Sequence, residues 1–262
     1  MSNLALDFDH QLAIAKELLA LAYEICEGTL HAETEFTRKD YIFFALADKN
    51  FATFEAIQAL CERSLLDDAF ALVRVLTECT INAAYVEYVT ADVADDYANY
   101  SDFRNWVEYE GLREVAPELV AQVPATEVEE MQRKYAAVRE RYERNRNRDW
   151  CSDSLFERAS KIDKAIGGEF NLLRILVNSP WRKARAYVHG TASSITSRVR
   201  EEAEGIVIRR RFTKEEAAAA LFAANMVMFA LLMFVDLRLG KRNAEKWRAL
   251  YDRWCAPQSV SG

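Results

Sequence analysis

The chain has 262 residues, a mass of 30.0 kDa and a hydrophobic fraction of 51%, so it is long enough to bury a substantial core. Eight glycines and four prolines exclude collagen-like and low-complexity chains, and a charged fraction of 29% excludes a polytopic membrane protein. Residues 1–130 contain 8 basic and 26 acidic residues and have a net charge of −18. Residues 131–262 contain 26 basic and 15 acidic residues and have a net charge of +11. This asymmetry has three explanations: the halves pack together, protomers associate head to tail, or the basic half binds a polyanion.

The first half of the chain is predicted to be helical. Apolar residues recur at helical spacing over residues 4–30 and 39–61. Ser64 and Asp67 have the spacing of a capping box and predict the start of a third helix over 65–89. A polar, tyrosine-rich helix is expected over 91–115. We expect a single helical domain over residues 1–262. The segment 116–126, which contains Pro117 and Pro124, is a candidate soft subdomain boundary within it, and it separates an acidic part, 1–115, from a basic part, 127–262.

The second half is also predicted to be helical, over 127–148, 155–166 and, briefly, 170–177. Ser179 and Pro180 have the character of an N-cap and a first helical position, which predicts a helix over 181–197. The strand-like stretch 205–212 predicts one short hairpin. Thr213 and Glu216 then form a second capping box.

The segment that follows, 217–235, carries no charged residue and is just long enough to span a bilayer. Seven of its nineteen residues are alanine, and Asn225 lies in its middle, which favours a buried core helix near 217–239 over a membrane span. The predicted fold is therefore an all-α multi-helix bundle of about eight to ten helices that needs no membrane.

Compartment and cofactors are suggested by what the sequence lacks. The five cysteines have no C-x-x-C spacing and are expected to be reduced, and residues 1–4 lack a secretory pattern, so we expect a cytoplasmic protein. Three histidines without an H-x-E or E-x-x-H motif predict no metal site. No P-loop, dinucleotide-binding or hydrolase-elbow motif occurs, so no cofactor is expected.

Two groups of residues are candidates for a functional site. Arg74, Glu78 and Asn82 recur at i, i+4 and i+8 on the apolar third helix, where they form either an internal packing network or the wall of a polar pocket. Arg182, Arg185 and His189 share one side of a later helix. Two guanidiniums beside an imidazole suit phosphate chemistry, although a packing or surface role for the same residues is the alternative.

These segments resemble known families. The spacing Arg182-x6-His189 resembles the R-x(4–6)-H element of the prokaryotic HEPN nucleases, although Lys183 stands where those proteins usually have Asn, Asp or His. The run 61–78, which contains A-x-x-L-x-R-x-x-x-E, and the later Y-x-H-x-[ST] over 187–191 resemble an uncharacterised family of bacterial all-helical proteins. That resemblance covers residues 55–200 and implies that Arg74, Glu78, Tyr187 and His189 converge on one site.

The leading hypothesis is a bacterial cytoplasmic homo-oligomer that binds or cleaves RNA or nucleotides, as a HEPN-like metal-independent ribonuclease or as a stress or phage-defence effector. His189 is its candidate general acid/base, with Arg182 and Arg185 as phosphate clamps. The candidate residues that bind substrate or orient the site are Arg74, Glu78, Asn82 and Tyr187. The alternative is a non-enzymatic helical scaffold or sensor that binds a protein partner.

Overall fold

The protein is a helical bundle, as the sequence predicted. A computed structural model describes residues 6–30, 36–89, 93–143, 149–167, 171–188, 199–202, 205–208, 212–240 and 242–256. The helices are α1 Phe8–Leu30, α2 Arg38–Glu62, α3 Leu66–Tyr88, α4 Val93–Val115, α5 Pro117–Val120, α6 Ala125–Glu143, α7 Leu155–Ala165, α8 Leu172–Leu176, α9 Arg182–Val188, α10 Lys214–Arg238 and α11 Ala244–Cys255. Two short strands, β1 Val199–Glu202 and β2 Gly205–Ile208, form an antiparallel pair.

The apolar helix α10 lies at the centre of the bundle. It begins at the predicted capping box, in which Thr213 accepts from the Glu216 backbone and the Glu216 carboxylate accepts from the Thr213 N–H. Helices α1, α2 and α3 pack around it, and its side chains are buried along almost its whole length. Both α3 and α10 are long and apolar enough to cross a membrane, but 67% and 78% of their most apolar windows are buried inside the protein. A core position explains their composition.

Polar side chains inside the core join α10 to its neighbours. The Asn225 amide donates to the backbone oxygen and to Oε1 of Gln11 on α1, at 3.0 and 3.1 Å. The Trp254 indole on α11 donates to the same Gln11 Oε1 at 2.8 Å. A buried amide is tolerated only when it is hydrogen-bonded, so this cluster fixes the relative positions of three helices.

Two local predictions were wrong in detail. Ser64 does not cap α3. It has a φ of 57°, its N–H donates to Cys61 O, and the Leu65 N–H donates to Leu60 O. This pair of bonds is the Schellman motif, so Ser64 ends α2.

Ser179 and Pro180 do not begin a helix either, because a π-helical turn over Val177–Trp181 carries α8 directly into α9. Proline lacks an N–H and its ring clashes with the carbonyl four residues back, and the wider turn relieves that clash. The predicted short hairpin is present. Strand β2 covers the first part of the predicted stretch 205–212 and pairs with β1, whereas Phe212 is a buried residue outside the strands.

Helices α4, α5 and α6 form an arm. The arm contacts α2 and α3 at its base, and α4 packs along α6. Aromatic contacts hold the two helices together, including the tilted ring pairs of Phe103 with Tyr135 and Tyr142. Residues 116–126, the candidate subdomain boundary, form the turn between α4 and α6.

Candidate functional site

The segment that carries the candidate arginines packs on α3 through aromatic contacts. The Tyr187 ring stacks on the buried Phe70 ring, with centroids 4.6 Å apart and planes 11° apart. The Lys183 ammonium lies 5.0 Å from the centroid of the same ring. Tyr187, predicted as a site residue, thus has a packing partner, and α9 packs against α3.

Glu78 is the centre of a hydrogen-bonded cluster between α3 and the π-helical turn. Its Oε1 accepts from Arg74 Nε at 2.8 Å and from the Trp181 indole N–H at 2.7 Å. The Arg74 guanidinium carbon lies 5.3 Å from the Trp181 ring centroid, within the range of a cation–π contact. An internal packing network was one of the two predictions for this pair, but the Arg74 and Glu78 side chains are 23% and 35% exposed. The cluster therefore lies at the edge of the core.

Asn82 does not belong to this cluster, although it continues the same stripe on α3. Its Oδ1 accepts from Arg158 Nη1 on α7 at 2.6 Å. Arg158 is 2% exposed, pairs with Asp149, and has its guanidinium carbon 5.1 Å from the Trp150 ring centroid. The stripe thus contributes to two separate clusters, and the expected convergence of Asn82 with Arg74 and Glu78 is wrong. No spacing in the sequence indicated that Arg158 would bind Asn82, because the two residues lie 76 positions apart along the chain.

The predicted phosphate clamps lie on an exposed basic segment, residues 171–188. This segment contains four basic residues and no acidic one. Arg182 and Arg185 are exposed, and neither has a carboxylate within ion-pair distance in the part of the chain that the structure describes. The Arg185 guanidinium carbon lies 5.9 Å from the Trp181 ring centroid. His189, the candidate general acid/base, lies outside the described residues.

Two other arginines of the basic half are paired with carboxylates. Arg139 on α6 binds Glu143 at 2.8 Å, and Arg141 pairs with Asp96 on α4. Arginines 144, 146, 148 and 209–211 lie outside the described residues. Arg182 and Arg185 are therefore available for an external anion, a property that they share with the exposed Arg63, Arg174, Arg242 and Arg248.

The acidic and basic halves of the chain contact each other, which supports the first explanation of the charge asymmetry. Pairs that join the two halves include Arg238 with Asp40, Lys246 with Glu24, Arg253 with Glu17, Lys214 with Asp9, and Arg141 with Asp96. Most of these pairs are exposed, where each stabilises a fold by only about 0.2–1 kcal/mol. They account for part of the asymmetry and leave the basic segment unneutralised.

A cleft of about 770 Å³ opens between α6 and the loop 149–154. Tyr85 donates to Asp153 inside it, and Lys161 pairs with the same carboxylate. Burial, and then the hydrogen bond to Asp153, raises the pKa of Tyr85, so this phenol stays protonated and donates. The described lining contains none of the predicted site residues, and the charged groups named here already have partners.

Comparison with known proteins places the chain in a family. A model for a family of unknown function (DUF5677) matches residues 40–206. The chain belongs to this family. The match includes α3, the arm and the basic segment, and it agrees with the sequence resemblance to an uncharacterised all-helical family. No curated protein and no solved structure shows a significant match.

Proposed function

We propose that this member of the DUF5677 family binds RNA, or another phosphate-bearing polyanion, through the exposed arginines of the basic segment. The observation that carries the proposal is the environment of Arg182 and Arg185. Arginines on the arm are paired with carboxylates, whereas these two are exposed without a carboxylate partner among the described residues. Arginine without a partner is suited to bidentate contacts with phosphate oxygens.

The cluster around Glu78 supports this proposal by positioning the basic segment. Glu78 anchors the Trp181 indole, and the Trp181 ring in turn lies against the guanidiniums of Arg74 and Arg185. Because an arginine that rests on an aromatic ring samples fewer rotamers, less conformational entropy is lost when it binds a phosphate. In this arrangement Glu78 and Arg74 are positioning residues.

Cleavage of the bound RNA is the enzymatic form of the proposal. The 2′-hydroxyl of the RNA would attack the adjacent phosphorus, and the bond from phosphorus to the 5′-oxygen of the next nucleotide would break. His189, adjacent in sequence to the end of α9, would take the proton of the 2′-hydroxyl or give a proton to the departing 5′-oxygen, and the two arginines would stabilise the negative charge that develops on the phosphate. This assigns the protein a HEPN-like, metal-independent ribonuclease activity in stress or phage defence. His189→Ala should then abolish cleavage and leave RNA affinity within about twofold of wild type.

The experiment that tests binding compares two double charge reversals. Affinity for a short, labelled single-stranded oligoribonucleotide is measured by fluorescence anisotropy. Arg182→Glu/Arg185→Glu should weaken binding by about tenfold or more, because it removes phosphate contacts and adds repulsion. The matched control, Arg242→Glu/Arg248→Glu, makes the same charge change at exposed arginines that lie outside both the basic segment and the arm. Equal weakening by both variants, or no binding by wild type, would refute the proposal.

A non-enzymatic scaffold or sensor is the second candidate function. It is favoured by the contacts of Tyr187 with Phe70 and of Trp181 with Glu78, which are inter-helix packing contacts. In that case Arg182→Glu/Arg185→Glu would leave polyanion affinity unchanged. A protein partner would have to contact surfaces of the protein other than the Glu78 cluster.

A further inference from the structure

The end of the arm exposes an apolar surface with an acidic rim. From Arg104 to Leu119 no side chain is fully buried. Leu112, Val115 and Leu119 are 46%, 77% and 59% exposed. Residues 108–130 carry seven acidic residues and one basic residue. Glu114 and Glu118 lie beside the apolar side chains in sequence and have no ion-pair partner in the part of the chain that the structure describes.

The basic segment exposes a surface of the opposite kind. Ile175 on α8 is 50% exposed and Val188 at the end of α9 is 45% exposed. Arg182 and Arg185, which lack carboxylate partners among the described residues, lie between them along the chain. Each surface thus combines exposed aliphatic side chains with charges of one sign, and the two signs are opposite. Surfaces that are complementary in charge and share exposed apolar groups are typical of interfaces.

These two surfaces belong to different parts of the chain. The arm contacts α2 and α3 at its base, whereas α9 packs against α3, and α8 packs against α7 and α10. We propose that the arm of one copy of this chain binds the basic segment of a second copy. If both arms do so reciprocally, the contact closes as a two-fold dimer and leaves no free surface for further growth.

The dimer would regulate the proposed site. Since the acidic arm and a polyanion would use the same arginines, the arm of the partner copy competes with RNA; this part of the inference rests on the proposed function. RNA binding would displace the arms and release monomers. Acidic side chains presented on a helix would occupy the position that phosphates take in the complex.

Sedimentation velocity with a charge-swap design tests the dimer. Wild type should sediment as a dimer of the 30.0 kDa chain, and salt should weaken the dimer. Glu114→Lys/Glu118→Lys and Arg182→Glu/Arg185→Glu should each be monomeric, because each places like charges opposite one another. An equimolar mixture of the two variants should re-form a dimer, because both of its contacts again join opposite charges. The matched control Asp48→Lys/Glu55→Lys makes the same charge change at exposed positions on α2 and should remain dimeric.

Several outcomes would overturn the inference: a wild-type monomer at all concentrations, a dimer that survives either reversal, a mixture that stays monomeric, or a control that dissociates equally.

A neutral arm variant, Leu112→Ser/Val115→Ser, separates the inference from the proposed function. It should be monomeric and bind RNA about threefold or more tightly than wild type, since it has lost the competing arm. Unchanged RNA affinity refutes the competition. A monomeric variant that binds no RNA refutes the proposed function and leaves the dimer standing.

Discussion

Replacement of Glu78 tests the cluster that holds the basic segment on α3. Glu78→Ala removes the acceptor of two hydrogen bonds, one from Arg74 and one from the Trp181 indole. The Arg74–Glu78 pair spans one helical turn and is 23% and 35% exposed, so its loss costs about 0.5 kcal/mol. The indole N–H loses its acceptor at a partly buried position, which costs about 1–3 kcal/mol. We therefore expect the free energy of unfolding to fall by about 2 kcal/mol in total.

The assay is urea denaturation followed by circular dichroism, with a melting curve as a second readout. A loss of about 2 kcal/mol corresponds to a fall in Tm of about 4–8 °C for a chain of this size. Glu78→Gln keeps an amide oxygen for the indole and should cost only about 0.5–1 kcal/mol. The control is Glu108→Ala, which breaks the Arg104–Glu108 pair of the same spacing on the exposed arm. If Glu78→Ala and Glu108→Ala cost the same, the Trp181 hydrogen bond contributes nothing and the positioning role of Glu78 is wrong.

Three further predictions concern stability. Gln11→Leu should lower the free energy of unfolding, measured by urea denaturation, by about 2–4 kcal/mol, because the buried donors of Asn225 and Trp254 lose their side-chain acceptor. A loss below about 0.5 kcal/mol would contradict the role of that cluster. Ser64→Gly should raise the free energy of unfolding by about 0.5–1 kcal/mol, because glycine adopts the φ of 57° without strain. A lower free energy of unfolding would contradict the assignment of Ser64 to the Schellman motif that ends α2. Burial works to raise the pKa of Asp40, but hydrogen bonds from Thr37 and the pairing with Arg238 outweigh it and lower this pKa. The ionised carboxylate thus stabilises the fold above its unfolded pKa of about 3.8. The difference in free energy of unfolding between wild type and Asp40→Asn should be constant near neutral pH and should shrink as pH falls through the lower folded pKa. A difference that already shrinks above about pH 5 would contradict this prediction.

Much of the fold follows from patterns that are local in the sequence. The uncharged run after Thr213 and its capping box fix the start and the burial of α10, because a helix that is apolar all round must be enclosed. Helices α1 and α2 follow from the apolar periodicity of residues 4–30 and 39–61. In each case the signal lies within the element itself, and tertiary contacts only reinforce it.

Local patterns were misleading where two elements compete for the same residue. Ser64 and Asp67 have capping-box spacing, yet Ser64 completes the hydrogen bonds of α2 and leaves α3 with no side-chain cap. Pro180 looks like a helix start, but the π-helical turn accommodates it. Propensity describes which conformations a residue tolerates. The preceding helix decided the local structure in both places, because α2 ends at Ser64 and α8 continues through Pro180 into α9.

The candidate site was only partly predictable. Helical spacing correctly joined Arg74 to Glu78, because the i, i+4 relation is a property of one helix. The same reasoning could not show that Asn82 pairs with Arg158, or that Trp181 completes the Glu78 cluster from 103 residues away. Such partners are set by helix packing, which a single sequence does not encode in its spacing.

The salt dependence of RNA affinity in wild type and in Arg182→Gln/Arg185→Gln tests the central claim most directly. Each phosphate neutralised on a single strand contributes about −0.7 to the slope of log K against log salt. If both arginines contact phosphates, the double variant should show a slope about 1.4 less steep than wild type. The same slope in both proteins, with or without a change in affinity, would show that these arginines do not contact the phosphates and would contradict the assigned role of the basic segment.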